Sequence, residues 1–204
     1  MLYYVYGAKM VAVLKGFNIV IFAKNHNPTI VSKDWLTEKG MLKEKVNNFA
    51  QTPVFSVIET DNYDLLVDPE RLMLTSKDSS DEKIKRILDI SKDYSERLTE
   101  IPYKNLEMRY IFEIDSDENH LKELFSKNDK LFKSIFGEKY EISGIIQSEL
   151  DRFTYNVRFL KFKEKVIGDF CYNFKIENYK DINAGLIQYP KLIKKSQEII
   201  KVMF

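Results

Sequence analysis

Over residues 106 to 115 the chain alternates without a slip. Leu106, Met108, Tyr110, Phe112 and Ile114 are apolar, while Glu107, Arg109, Glu113 and Asp115, with Ile111 among them, are mostly charged. A period of two fits an extended strand, because successive side chains of a strand point to opposite faces. One face must be buried and the other left largely wet. The pattern returns at 166–177, where Val166, Gly168, Phe170, Tyr172, Phe174 and Ile176 oppose Ile167, Asp169, Cys171, Asn173, Lys175 and Glu177. Strands with one packed face belong to an antiparallel sheet rather than to a parallel sheet buried on both sides. The turn chemistry agrees, with Asp61-Asn62, Asp68-Pro69-Glu70, Asp151-Arg152 and Lys163-Glu164-Lys165 at hairpin spacing.

Such a sheet needs helices over its apolar face. Between Ser80 and Leu98, the residues Ile84, Ile87, Leu88, Ser91, Tyr94 and Leu98 form one stripe, with Ser79 or Ser80 as N-cap. A second helix is predicted over 118–136 from Leu121, Leu124, Phe125, Leu131, Phe132, Ile135 and Phe136, ended by Gly137. A third starts at Pro190 and carries Leu192, Ile193, Ile199, Ile200 and Met203. These stripes read as core.

In chain order the elements say the same thing twice. A strand at 17–22, a short helix near Trp35, strands around Val54, Leu65 and Leu72 and the helix from Ser80 make the first set. The strand at 106–112, the helix from Glu118, strands around Ile145, Val157 and Phe170 and the helix from Pro190 make the second. The expected fold is α+β: two sequential strand-helix-three-strand-helix repeats, at 17–103 and 104–204, forming a curved, mostly antiparallel sheet with helices packed on one face. Residues 1–16 are an N-terminal extension or an extra strand, with Met10 an equally good start. Gly144 and Gly168, inside predicted strands, are expected to mark bulges or bends.

A chain of 204 residues that is 44% hydrophobic can bury a sizeable core. Its 32 basic and 31 acidic residues divide as 14 and 15 in 1–100, then 18 and 16 in 101–204, so neither half is a polycation drawn to nucleic acid or membrane by charge alone. The single cysteine, Cys171, excludes an internal disulfide and points to a reducing, cytoplasmic setting. Met1 to Gly16 is interrupted by Lys9, is too short to span a bilayer and lacks a preceding basic stretch, so neither a signal peptide nor membrane association is expected. Abundant Ile and Lys beside scarce Ala and Gln point to a thermophilic source.

Three strands, a long helix and a strand from Phe55 to Ile114, set within a twofold repeat, resemble the saddle of the TATA-box-binding protein family. That resemblance implies a free concave sheet face, which in the family grips the minor groove of DNA with wedging phenylalanines. Where the family has a Gly-Lys hairpin turn this chain has Asp68-Pro69-Glu70-Arg71, and its free face carries Glu107, Glu113 and Asp115. No DNA-contacting residue is carried over.

Catalytic motifs are absent from the sequence. There are two histidines, His26 and His120, and the seven glycines form neither a phosphate-cradling loop nor a dinucleotide fingerprint. No catalytic residue, metal or cofactor is expected. Three polar clusters remain. Asn25-His26-Asn27-Pro28, with Thr29, Ser32, Asp34 and Trp35, reads as a binding loop in which His26 is acid, base or ligand and Trp35 a stacking surface. It also reads, and more simply, as a turn with left-handed asparagines and a buried Trp35. Asp115, Asp117, Glu118 and His120 suit a hard cation or the N-terminus of the next helix. Thr154, Asn156 and Arg158 near Asn173 and Lys175, with Phe162 at the edge, make a polar platform for a peptide, a second copy of the sheet or a nucleic-acid backbone, or a merely solvated face. The expected function is therefore a non-enzymatic binding protein that engages a macromolecular partner, another protein or itself, through the open sheet face or edge. A nucleic-acid-binding factor and a small enzyme centred on His26 are the alternatives.

Overall fold

A computed structural model of the chain describes residues 2–4, 11–116, 121, 123, 144–150 and 153–204. Ten strands among them form one sheet in which every pairing is antiparallel. The strands are β1 (Leu2–Tyr4), β2 (Val11–Ala23), β3 (Val46–Gln51), β4 (Ser56–Thr60), β5 (Tyr63–Val67), β6 (Arg71–Ser76), β7 (Tyr103–Ile114), β8 (Gly144–Leu150), β9 (Phe153–Phe162) and β10 (Lys165–Lys175). Their spatial order is β3, β4, β5, β6, β2, β7, β10, β9, β8, with β1 beside the start of β2. Four helices complete the described fold: α1 (Lys33–Glu38), α2 (Asp81–Arg97), α3 (Tyr179–Leu186) and α4 (Tyr189–Met203).

The alternation read from 106–115 is the burial pattern of β7, whose Leu106, Met108, Tyr110, Phe112 and Ile114 are fully buried. Phe17, Ile19 and Ile21 of β2 and Phe170 and Tyr172 of β10 join them on the same face. The helices cover that face with Ile84, Ile87, Ile90 and Tyr94 of α2 and Leu192, Ile193 and Ile200 of α4. Polar bonds are few there and specific: the Tyr172 hydroxyl and Ser196 Oγ stand 2.8 Å apart. At Gly185 of α3 an added Cβ would come within 2.5 Å of Leu106 Cδ2, so glycine permits the close seat of α3 on β7.

Local chemistry explains where the observed elements differ from those expected. The segment around Val54 is a turn, because Thr52 Oγ1 accepts the backbone N–H groups of Val54 and Phe55; β3 precedes it and β4 follows, so four strands rather than three lie between α1 and α2. The second half ends in two helices, since Asn178 and Asp181 form a capping box that starts α3 ahead of the helix at Pro190. Ser80 is the N-cap of α2, yet its side chain makes no cap bond; Asp81 and Glu82 meet the helix dipole instead. The ladder of β8 starts at Gly144, and those of β10 run unbroken through Gly168. At Gly168 the missing side chain makes room, for a Cβ would lie 3.0 Å from Phe170 Cε2 and 3.2 Å from Ile114 Cδ1. The irregularities fall at Lys15 of β2, Lys104 of β7 and Asn47 of β3. The helix predicted over 118–136 lies outside the described residues except for Leu121 and Glu123, which are helical, as do Asp117, Glu118 and His120. Among the described residues no helix is long and apolar enough to cross a membrane.

Candidate binding face

The face away from the described helices is set by register. One line across it runs Val20, Glu107, Asn173, Thr154, Glu149, and the next runs Asn18, Arg109, Cys171, Asn156, Gln147. A third contains Ile111, Asp169, Arg158 and Ile145. Thr154, Asn156 and Arg158 thus stand opposite Asn173, Cys171 and Asp169, with Lys175 two residues beyond Asn173 on the same side. Phe162 is exposed at the far end of β9. On the other half of the face, Val57, Leu66, Met73 and Val20 align into an apolar strip.

Most charges here already have partners. Arg109 forks onto Asp169, Nε to Oδ1 at 2.7 Å and Nη2 to Oδ2 at 2.5 Å, and these bonds raise the arginine pKa. Glu113 lies 2.6 Å from Lys165 and 3.7 Å from Lys15, and the bond from Lys165 lowers its pKa. Asp64 is paired with Lys77 and Arg71 with Asp68. Cys171 is pushed up to about 12 by burial, reinforced by the Glu107 carboxylate, so the thiol stays protonated and unreactive near neutrality. By contrast Thr154, Asn156, Arg158 and Lys175 make no side-chain hydrogen bond or ion pair among the described residues. Asn18 Oδ1, in the same line as Arg109, is buried without a partner.

The His26 cluster is elsewhere, under the helices. Asn25 is exposed with φ 63°, and Asn27 Oδ1 closes the turn by accepting from Thr29 N at 3.1 Å and Oγ1 at 2.6 Å. His26 is buried, with Nε2 3.2 Å from Ile21 O and Nδ1 2.9 Å from the Tyr94 hydroxyl. A carbonyl only accepts, so Nε2 carries the proton and Nδ1 accepts from Tyr94. Trp35 is half-buried and meets Tyr94 edge-on at 6.5 Å, while Ser32 Oγ caps α1 by accepting from Trp35 N. The structure therefore brings together Thr154, Asn156, Arg158, Asn173 and Lys175, and sets Asn25, His26 and Trp35 apart from them.

Burial lowers the His26 pKa from its ordinary 6.5, which links folding to pH. On acidification the unfolded chain takes this proton first, so the native state has its full advantage above 6.5 and loses it as pH falls through the folded value. Urea unfolding at a series of pH values should show stability declining below 6.5, and His26→Gln should flatten that decline. An unchanged slope in the variant would remove His26 as its source.

Sequence reasoning missed the apolar strip and the Arg109–Asp169 fork. Both sets of residues faced the right way in the alternation, but only strand order makes them neighbours. Among the described residues no group of three or more His, Cys, Asp or Glu side chains is placed to hold a metal ion. No protein-family model matches the chain, and no curated protein matches it.

Proposed function

We propose that this chain is a non-enzymatic binding protein whose open sheet face engages another protein. One observation carries the reading: unengaged donors at Thr154, Asn156, Arg158 and Lys175 lie on the same face as an apolar strip through Val57, Leu66, Met73 and Val20. Apolar area with satisfiable polar groups around it is the anatomy of a protein interface. A nucleic-acid backbone calls for an uncompensated positive field, and here the charges of Arg109, Lys15, Lys165 and Lys77 are met by carboxylates.

The strand order supports reading the two halves as a duplicated unit of the TATA-box-binding kind. Ile19 sits between Leu74 and Met108, and Met108 between Ile19 and Tyr172, so β2 with β6 matches β7 with β10. A reducing, cytoplasmic setting accords with the single cysteine, Cys171.

Paired substitution of Arg158 and Asn173 by alanine should weaken binding of a captured protein partner by at least about tenfold while leaving the melting temperature unchanged. Undiminished binding would remove the face from the function. Affinity for duplex or single-stranded DNA that fell by roughly one log unit per phosphate contact with log salt would favour nucleic acid instead.

A further inference from the structure

We infer that β3 is a self-association edge, along which a second copy of this chain pairs antiparallel and extends the sheet. This edge adjoins the apolar strip of the open face, since Ala50 pairs with Val57, and lies at the far end of the sheet from the polar platform on β9 and β10. β3 is the last described strand at its end of the sheet, and Asn47, Asn48, Phe49 and Ala50 are all exposed, Phe49 on the side of Ile58 and Asn48 and Ala50 on the open face beside Glu59 and Val57. Among the described residues no strand or helix lies beyond it.

Its sequence, Val-Asn-Asn-Phe-Ala-Gln, contains no charged residue, whereas every other strand from β2 to β10 carries at least one. Exposed edges are ordinarily guarded by lysine, proline or inward charges, and here Lys45 and Pro53 stand just outside the strand. Antiparallel pairing of identical strands about a twofold sets the central residue against its own copy and its neighbours close to theirs, so a charge near the centre is repelled. A register centred on Phe49 sets Phe49 against its own copy, Asn48 against Ala50 and Asn47 against Gln51, with no charged side chain among them. β8, at the opposite end, carries Glu149.

An apolar fringe surrounds the same edge. Phe49 is 39% exposed, Val54 64%, Phe55 37% and Ile30 42%. Ile30 is held there because Gln51 Nε2 donates to Pro28 O at 2.8 Å and Thr29 O at 3.2 Å, and Ser56 Oγ donates to Val31 O at 2.6 Å. A second sheet abutting β3 would cover this fringe as well as satisfy the strand's outward backbone groups. The twofold axis of an antiparallel edge pair is perpendicular to the sheet, so both open faces point the same way. The two polar platforms, at β9 and β10, then lie toward opposite ends of the assembly, suited to a partner that presents its binding element twice.

Sedimentation equilibrium of the full chain at micromolar concentration should show a dimer, and Asn48→Lys should raise its dissociation constant by at least about tenfold. Glu149→Ala, at the other edge, should leave the dimer intact. Circular dichroism and melting temperature establish that each variant is folded, and Ala50→Lys serves if Asn48→Lys is not. A monomeric wild-type chain, a dimer indifferent to the lysine variants, or a dimer lost only with Glu149→Ala or with the Arg158 and Asn173 pair would overturn the inference.

Discussion

Truncation of Tyr110 to alanine is expected to lower the unfolding free energy by about 3–5 kcal/mol. The ring is fully buried where β2, β7, β10 and α4 meet. Its centroid lies 4.9 Å from that of Phe17, 5.8 Å from Tyr172 and 5.9 Å from Tyr189, on which it stacks. Phe17 and Tyr172 belong to a continuous backbone ladder, so they cannot close in on the space left behind, and a cavity persists. Tyr110→Phe is the informative control. It removes a hydroxyl whose bond to Tyr189 O is long, at 3.4 Å, and should cost no more than about 1 kcal/mol. Urea denaturation of the two variants separates the contributions, and equal losses would mean that the ring cluster does not hold the centre of the sheet.

Arg86→Ala is the second large effect, about 2–3 kcal/mol. Arg86 donates from Nε to Glu44 Oε1 at 2.6 Å, and from Nη2 to Glu44 Oε2 at 3.1 Å and to Met41 O at 2.5 Å. It thereby ties the segment after α1 to α2. The Tyr63 hydroxyl donates to the same carboxylate at 3.3 Å. Side-chain exposures of 16% for Arg86 and 13% for Glu44 place the loss below that of a fully buried pair, for which removing one partner strands a charge in low dielectric. Burial is the largest single influence and acts to raise the Glu44 pKa, but the Arg86 hydrogen bonds, the backbone N–H of Lys43 and the Arg86 charge together outweigh it and hold the carboxyl down from 4.5 to about 2. The unfolded chain therefore takes up this proton first as pH falls. The contribution is full above 4.5 and disappears toward 2, so wild-type stability should drop through that window and Arg86→Ala should drop less. Equal slopes for the two proteins would assign the acid sensitivity to other carboxylates.

What the sequence showed, it showed through period. The apolar residues of 106–115 and 166–177 were legible because alternation is a local property of a strand, and it assigned Thr154, Asn156 and Arg158 to the open face. Adjacency is not local. Arg109 and Asp169 are sixty positions apart and meet because β7 and β10 are neighbours. β3 escaped notice because an edge strand exposed on both sides has no alternation to show. The burial of His26 was hidden for a related reason, since Tyr94, which engages it, lies on a helix sixty-eight residues downstream.

The seam between β2 and β7 has a consequence in time. Ala12 pairs with Ile114, so the centre of the sheet forms only after a loop of about a hundred residues has closed, a slow step set by topology rather than by local preference. During synthesis β6 can seal one side of β2 as soon as residues 71–76 emerge, but the other side waits for 103–114. Until then the nascent first half presents the bare backbone of its most apolar strand to the cell, and the speed with which β7 follows decides whether that edge meets its own chain or another.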